Sequence, residues 1–160
     1  MKLFIEVFFV KINLDKVIYH KHQFDITDVN SNPDDLVFNL LNDESNGIPK
    51  IANDSFVIHS TSWRYETDKI ILTYIVYSDE IDFSKHQSKE FLASDFVIAK
   101  GEDSKRPRPK EINELNVLSH AIRHLGFLIR TGEREKYAKA ISKENVEFLE
   151  KSYTALAGEI

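Results

Sequence analysis

Alternating apolar and polar positions in the first hundred residues predict a series of β-strands. Leu3–Ile12 and Val17–Ile26 flank a polar tetrapeptide, and this arrangement predicts a β-hairpin. Ser55–Tyr65 and Lys69–Ser78 flank a second polar segment and predict a second hairpin. A shorter fifth strand is predicted over Ser94–Ala99.

The second hairpin can be given a register if Glu66 pairs with Lys69. The other predicted pairs are then His59–Val76, Thr61–Tyr74 and Trp63–Leu72. Both faces of this hairpin carry enough apolar side chains to be covered, which is typical of interior strands. Polar side chains in such a setting need hydrogen-bond partners or a functional role.

Three helices are predicted from apolar positions three and four residues apart. They cover Pro33–Leu41, Pro109–Arg130 and Ser142–Ala157. Ser31 or Asn32 is the expected N-cap of the first helix, and Ser142 is the expected N-cap of the last. Gly132 is expected to end the long helix.

The long helix is predicted to be apolar on two sides. One apolar stripe consists of Ile112, Leu115, Leu118, Ile122, Leu125 and Ile129. A second face carries Val117, His120, Ala121, His124, Phe127 and Leu128, and a narrow polar stripe carries Asn116, Ser119, Arg123, Gly126 and Arg130. Because exposing a whole apolar stripe is unfavourable, we expect this helix to be covered on both sides.

Length and composition indicate one domain of the α+β class. The 160 residues divide into a strand-rich part at 1–100, a loop at 101–109 and a helical part at 110–160. We therefore predict a mainly antiparallel sheet of about five strands with the helical C-terminal third packed on it. The net charge of −5 argues against nucleic acid as a partner, and the absence of cysteine excludes disulfides, thiolate metal sites and cysteine nucleophiles.

The first residues imitate a signal peptide. However, Glu6 lies inside the apolar stretch, Lys11 ends it early, and no small-residue cleavage site follows. The apolar run Ile70–Tyr77 is far too short to cross a membrane. These features predict a cytoplasmic protein without a membrane partner.

Candidate chemistry is concentrated on the second hairpin and the long helix. His59, His120 and His124 are candidate acid–base residues, since imidazoles exchange protons near neutral pH. Thr61, Arg64 and Arg123 are candidate binding residues, because hydroxyl and guanidinium groups donate hydrogen bonds to anions. These six residues would suit a phosphate or a carboxylate, provided that strand and helix meet.

A metal site is the weaker interpretation of the same histidines. His120 and His124 have the spacing of two zinc ligands on a helix, but the glutamate of the zinc-protease motif is missing and Arg123 opposes a dication. We predict no metal, and no cofactor is indicated. His20 and His22 are expected at an exposed strand edge.

Two resemblances to known families bear on function. His59-Ser60-Thr61-Ser62 resembles half of the signature of the two-histidine phosphoesterases, whose full pattern needs two copies on neighbouring strands; the other near-match begins at His86. The segments Phe56–Glu66, Leu72–Tyr74 and His120–Leu125 resemble a family of uncharacterised bacterial proteins. That second resemblance covers about a third of the chain and implies no activity.

The sequence thus predicts a polar pocket between the second hairpin and the long helix that binds a small anionic molecule. A hydrolytic enzyme stays open as a form of this prediction. Two alternatives also stay open: the histidines are hydrogen-bonded packing residues, or the helix over 110–130 is the seam of a homodimer in a non-catalytic interaction protein.

Overall fold

The computed structural model describes residues 1–28, 30–42, 47–51, 55–92, 113–132 and 137–157, with the backbone alone for 152–157. The strands are β1 (Lys2–Asn13), β2 (Lys16–Asp25), β3 (Lys50–Ile51), β4 (Val57–Glu66), β5 (Lys69–Tyr77), β6 (Ile81–Asp82) and β7 (Lys89–Leu92). The helices are α1 (Pro33–Leu41), α2 (Glu114–Thr131) and α3 (Lys143–Ala157). The predicted α+β class is confirmed.

The main sheet has five strands in the order β4-β5-β1-β2-β7. Three of its described pairings are antiparallel, whereas β1 and β5 run parallel, from Lys2 beside Lys69 to Val10 beside Tyr77. The sheet is therefore mixed, with its parallel pair at the centre. The prediction that both strands of the second hairpin are interior holds for β5 but is wrong for β4, which ends the described strand order.

Both predicted hairpins are confirmed. Asn13 pairs with Lys16 across the first turn, and Glu66 pairs with Lys69 across the second. Thr67 and Asp68, the two residues of the second turn, both have positive φ angles of 41° and 65°. Two-residue turns with this backbone match the right-handed twist of the strands they join, which explains the tight connection.

The predicted register of the second hairpin is correct only near its turn. Trp63 pairs with Leu72 as predicted, but a β-bulge between Ser60 and Ser62 leaves Thr61 without a cross-strand partner. For the β4 residues that precede the bulge, the observed pairs differ from the predicted pairs by one residue. The predicted pairs His59–Val76 and Thr61–Tyr74 are therefore wrong, and His59 lies opposite Ile75 instead.

Helix α1 begins and ends where the sequence predicts. The side chain of Asn32 accepts a hydrogen bond from the backbone N–H of Asp34 and so caps the helix, with Pro33 in the first turn. The hydroxyl of Tyr74 donates to the Asp34 carboxylate. This contact ties the start of α1 to the central strand β5.

The long helix starts later than predicted. Asn113 has an extended backbone, and its side chain and that of Asn116 bond reciprocally to each other's backbone N–H groups, so α2 begins at Glu114 rather than at Pro109. Gly132 follows the helix, as predicted. The predicted cap of α3 is confirmed, because the Ser142 hydroxyl accepts from the backbone N–H of Asn145.

Each face of the sheet has its own apolar core. Helices α2 and α3 pack on one face, against side chains that include Phe8, Val10, Ile75 and Tyr77. Helix α1 packs on the other, against side chains that include Ile5, Val7, Tyr74 and Val76. Val117 is buried, and His120 and Leu128 are half-buried, so two-sided burial of α2 is confirmed for most of its length.

Phe127 is the exception on α2, with 46% of its surface exposed. Of the residues predicted to be on the polar stripe, Ser119 and Gly126 are buried. The homodimer hypothesis required a second apolar face that the monomer leaves open. That face is largely covered by the chain's own strands and helices.

Three predictions concern residues that the structure does not describe. The predicted strand over 94–99, the predicted loop at 101–109 and residues 109–112 of the predicted long helix lie outside the described residues. The short strands β3, β6 and β7 show no strong alternation of apolar and polar residues, so the sequence pattern predicts none of them. Among the described residues, no helix is long and apolar enough to cross a membrane.

Candidate functional site

The bulge at Thr61 determines which way His59 faces. With the extra residue, His59 shares a face with Ile75, which belongs to the core beneath α2. Without it, His59 would pair with Val76 and face α1. Bulges commonly redirect a side chain next to a functional site, and this one directs an imidazole towards the helix that carries two others.

The strand histidine and the helix histidines lie together. The ring centroids of His59 and His124 are 6.0 Å apart, and those of His120 and His124 are 4.5 Å apart. All three side chains are half-buried. The predicted neighbourhood of these residues is confirmed, and we call His59, His120 and His124 the histidine cluster.

The surroundings of the histidine cluster disfavour the protonated form of each imidazole. Burial lowers the pKa of each of the three below its ordinary value of 6.5. His124 lowers the pKa of both His59 and His120 further, and Arg123 lowers the pKa of His120 and His124. A hydrogen bond to the backbone of Thr61 opposes this effect on the pKa of His120.

In the described part of the chain, the charged side chain that acts on the histidine cluster is Arg123. Among the described residues, no carboxylate is one of the groups that shift the pKa of these histidines. Arg123 takes part in none of the ion pairs formed between described residues. The Arg123 guanidinium therefore places a positive charge beside His120 and His124, on a chain whose net charge is −5.

We expect acidification to destabilise the fold through these histidines. Their pKa values are lower in the folded state, so between about pH 7.5 and about pH 5.5 the unfolded chain binds protons that the folded chain refuses. The free energy of unfolding should therefore fall as the pH drops through the ordinary histidine pKa. Urea unfolding at the two pH values measures the difference.

His124→Gln provides the control for that experiment. Its stability should depend less on pH than that of the wild type, since one lowered pKa is removed and the neighbouring imidazoles lose a repulsive partner. His22 also has a pKa lowered by burial, but it lies on the α1 face, and so some pH dependence will persist. Equal slopes in the wild type and the variant would contradict the assignment.

Arg64 is not part of the histidine cluster. Its guanidinium makes a bidentate ion pair with Glu6, at 2.8 and 3.2 Å, and its Nε donates to Glu66. The Thr73 hydroxyl donates to the same Glu6 carboxylate at 2.9 Å. Because these described contacts already engage the guanidinium, Arg64 is committed to a structural ion pair rather than presented to a ligand.

Thr61 is buried at the edge of the histidine cluster. Its hydroxyl donates to the backbone carbonyl of Thr73 at 3.3 Å, which secures the bulge. The backbone of Thr61 is also hydrogen-bonded to the His120 ring. The catalytic role of the histidines and the binding roles of Thr61 and Arg123 stay predictions.

Sequence reasoning missed a second charged cluster at the start of α2. Glu114 accepts from the Tyr19 hydroxyl at 2.7 Å and contacts the ammonium groups of Lys21 and Lys89, each at 3.0 Å. Burial opposes ionisation of Glu114, but these hydrogen bonds outweigh it and lower its pKa to about 2. These residues and His20 line a cleft of about 400 Å³.

Glu6 was also missed as a site-forming residue, although its signal was present. It is the lone carboxylate in an apolar stretch, and it is 1% exposed. A charge in such a position needs a buried partner. The identity of this partner depends on the parallel pairing of β1 with β5. The pattern of apolar and polar residues within one segment gives no information about that pairing.

The phosphoesterase pattern is not assembled in the described residues. His59 lies on β4, at one end of the strand order, whereas the near-match that starts at His86 leads into β7, at the other end. The two halves therefore do not lie on neighbouring strands. Within the described part of the chain, no three His, Asp or Glu side chains are arranged to hold a metal ion.

The sequence matches no protein-family model, and no curated protein is significantly similar to it. The resemblance to uncharacterised bacterial proteins therefore stays a prediction, and function has to be argued from geometry.

Proposed function

We propose that this protein binds a small dianion, such as an inorganic or organic phosphate or sulfate, at the histidine cluster. The observation that carries the proposal is that three imidazoles and Arg123 lie together, and that no described carboxylate is among the groups that shift the pKa of these imidazoles. Guanidinium and imidazolium groups donate strong hydrogen bonds to such anions.

Binding should be coupled to proton uptake. Because burial lowers the pKa of all three imidazoles below 6.5, their neutral forms predominate at pH 7. A dianion beside them favours the protonated forms and raises those pKa values again. Each proton taken up on binding can strengthen affinity by up to about tenfold per pH unit.

Sulfate is the probe of choice because its charge stays constant over the pH range in which histidine titrates. We expect calorimetric titration to show sulfate binding that tightens between about pH 7.5 and about pH 5.5, with proton uptake visible as a dependence of the heat on the buffer. Amide and imidazole NMR shifts should place the ligand at His59, His120 and His124.

Matched variants test the location. His124→Gln and Arg123→Gln should each weaken sulfate binding, and His124→Gln should also flatten its pH dependence. His22→Gln removes a comparable half-buried histidine from the opposite face and should leave binding unchanged. Binding of equal strength in all variants, or none at about pH 5.5, would refute the proposal.

Binding, rather than hydrolysis, is what the arrangement supports. The halves of the phosphoesterase pattern lie at opposite ends of the sheet, and Thr61 Oγ1 is engaged with the Thr73 carbonyl. A hydrolytic activity, the homodimer and a cytoplasmic location stay predictions. Release of phosphate from a model ester by the wild type, absent in His124→Gln, would favour the enzyme instead.

A further inference from the structure

A cleft of about 360 Å³ lies on the opposite side of the sheet from the histidine cluster. It is bounded by the end of α1, by β3, by the approach to β4 and by the loop that follows β6. Several of its residues belong to the core packed under α1, whereas the histidine cluster lies on the α2 face. The cleft is therefore a separate feature of the molecule.

One side of the cleft is apolar. Its apolar lining consists of Leu41, Ile48, Pro49, Ile51 and Phe56. The Phe56 ring is held edge-on by Phe38, with the ring centroids 6.2 Å apart. A volume of this order and an apolar wall are typical of small-molecule sites. The wall suits a compact ring or a branched alkyl group.

The other side of the cleft carries charged side chains. Among the described lining residues, Lys50 and Lys85 are cations and Asp82 is a carboxylate that interacts electrostatically with Lys85. The formal charges of this described lining therefore sum to one positive charge, which matches a monoanion better than a dianion.

The loop that carries Lys85 is held in place before any ligand arrives. The Asp82 carboxylate accepts a hydrogen bond from the backbone N–H of Ser84 at 2.8 Å, and the backbone N–H of His86 donates to the Phe83 carbonyl at 3.0 Å. Lys11 anchors the same segment through the Ile81 carbonyl.

His86 gives an independent indication of a binding site. Its ring lines the cleft and packs edge-on against His20, yet within the described residues its buried Nδ1 has no hydrogen-bond partner. Leaving a buried polar atom unpaired is unfavourable, and such exceptions call for an explanation. A small shift of the half-buried ring towards a ligand in the cleft would give this nitrogen a partner.

We propose that this cleft binds a small monocarboxylate with an aromatic or branched apolar group, the apolar part against Phe56 and the carboxylate near Lys85 and His86. This site does not depend on the dianion site proposed above. The two differ in the face of the sheet, in the charge of the ligand and in the residues involved.

Benzoate is the probe, and benzamide is its neutral counterpart of the same shape. A ligand of this size should reach a Kd of about 1 mM. We expect benzoate to shift the amide resonances of the cleft residues in the full chain, and benzamide to bind at least about tenfold more weakly. Equal binding of the two, or no shift at about 10 mM benzoate, would overturn the proposal.

Lys85→Gln should weaken benzoate binding about tenfold, since it removes one of the two described cations of the cleft from an exposed position without disturbing the core. Lys143→Gln, an equally exposed change on α3, should have no effect. Unchanged binding in Lys85→Gln would refute the assignment. His124→Gln separates the two proposals, because it should weaken sulfate binding and leave benzoate binding intact.

Discussion

Replacing Arg64 by methionine is expected to lower the free energy of unfolding by about 3–5 kcal/mol, because it leaves a buried carboxylate without its charge partner. The Glu6 side chain is 2% exposed and receives two bonds from Arg64. The nearest remaining cation, on Lys21, is 3.9 Å from Glu6 Oε1 and is already paired with Glu114 at 3.0 Å. Urea unfolding at neutral pH measures the loss.

Two comparisons make this result specific to the ion pair. Arg123→Met removes a half-buried arginine that forms no ion pair with a described residue, and it should cost much less. The double change Glu6→Leu with Arg64→Met should recover most of the stability, since well-packed apolar residues often replace a buried ion pair at little net cost. A loss in Arg64→Met of under about 1 kcal/mol would mean that solvent screens the pair.

Asp79→Ala is expected to cost about 3 kcal/mol, since it removes several hydrogen bonds at the joint between β5 and α3. One carboxylate oxygen accepts from the Tyr77 hydroxyl at 2.6 Å and from the Asn145 side chain at 2.8 Å. The other accepts from the backbone N–H of Ser142 at 2.5 Å. The change leaves the buried Tyr77 hydroxyl without its carboxylate acceptor and weakens the start of α3.

Glu80→Ala is the matched control, because its side chain is exposed next to Asp79 and should change stability by less than about 0.5 kcal/mol. Asp79→Asn should fall between the two, since an amide keeps one acceptor oxygen and loses the other. If Asp79→Ala unfolded with the same midpoint as Glu80→Ala, the carboxylate would not hold this joint.

Local signals were sufficient for the hairpins and for most helix ends. Asn32 and Ser142 cap their helices as predicted, because capping depends on residues only a few positions apart. The pairing of Glu66 with Lys69 follows from a short turn for the same reason. The bulge at Thr61 was not predictable, since an inserted residue keeps the alternating pattern plausible on either side of it.

The candidate site was predictable in part. The apolar surroundings of the histidines indicated that strand and helix cover one another, and the two do meet. The partner of Arg64 was missed because Glu6 is distant in sequence and is brought near by the parallel pairing of β1 with β5. The cleft at Phe56 and His86 was missed for the same reason, since its walls come from several separate segments.

The parallel pair at the centre of the sheet also affects how the chain reaches its native state. Each hairpin joins neighbouring segments, and hairpins form within about 1–10 μs. Pairing β1 with β5 requires closing the long stretch between Val10 and Tyr77, which costs more entropy and is slower. During synthesis on the ribosome, β1 therefore has only β2 beside it until β5 has emerged. Until then the other edge of β1, the strand that carries Phe8 and Phe9, is open to pairing with other chains. We expect the protein to be most prone to aggregate during this interval.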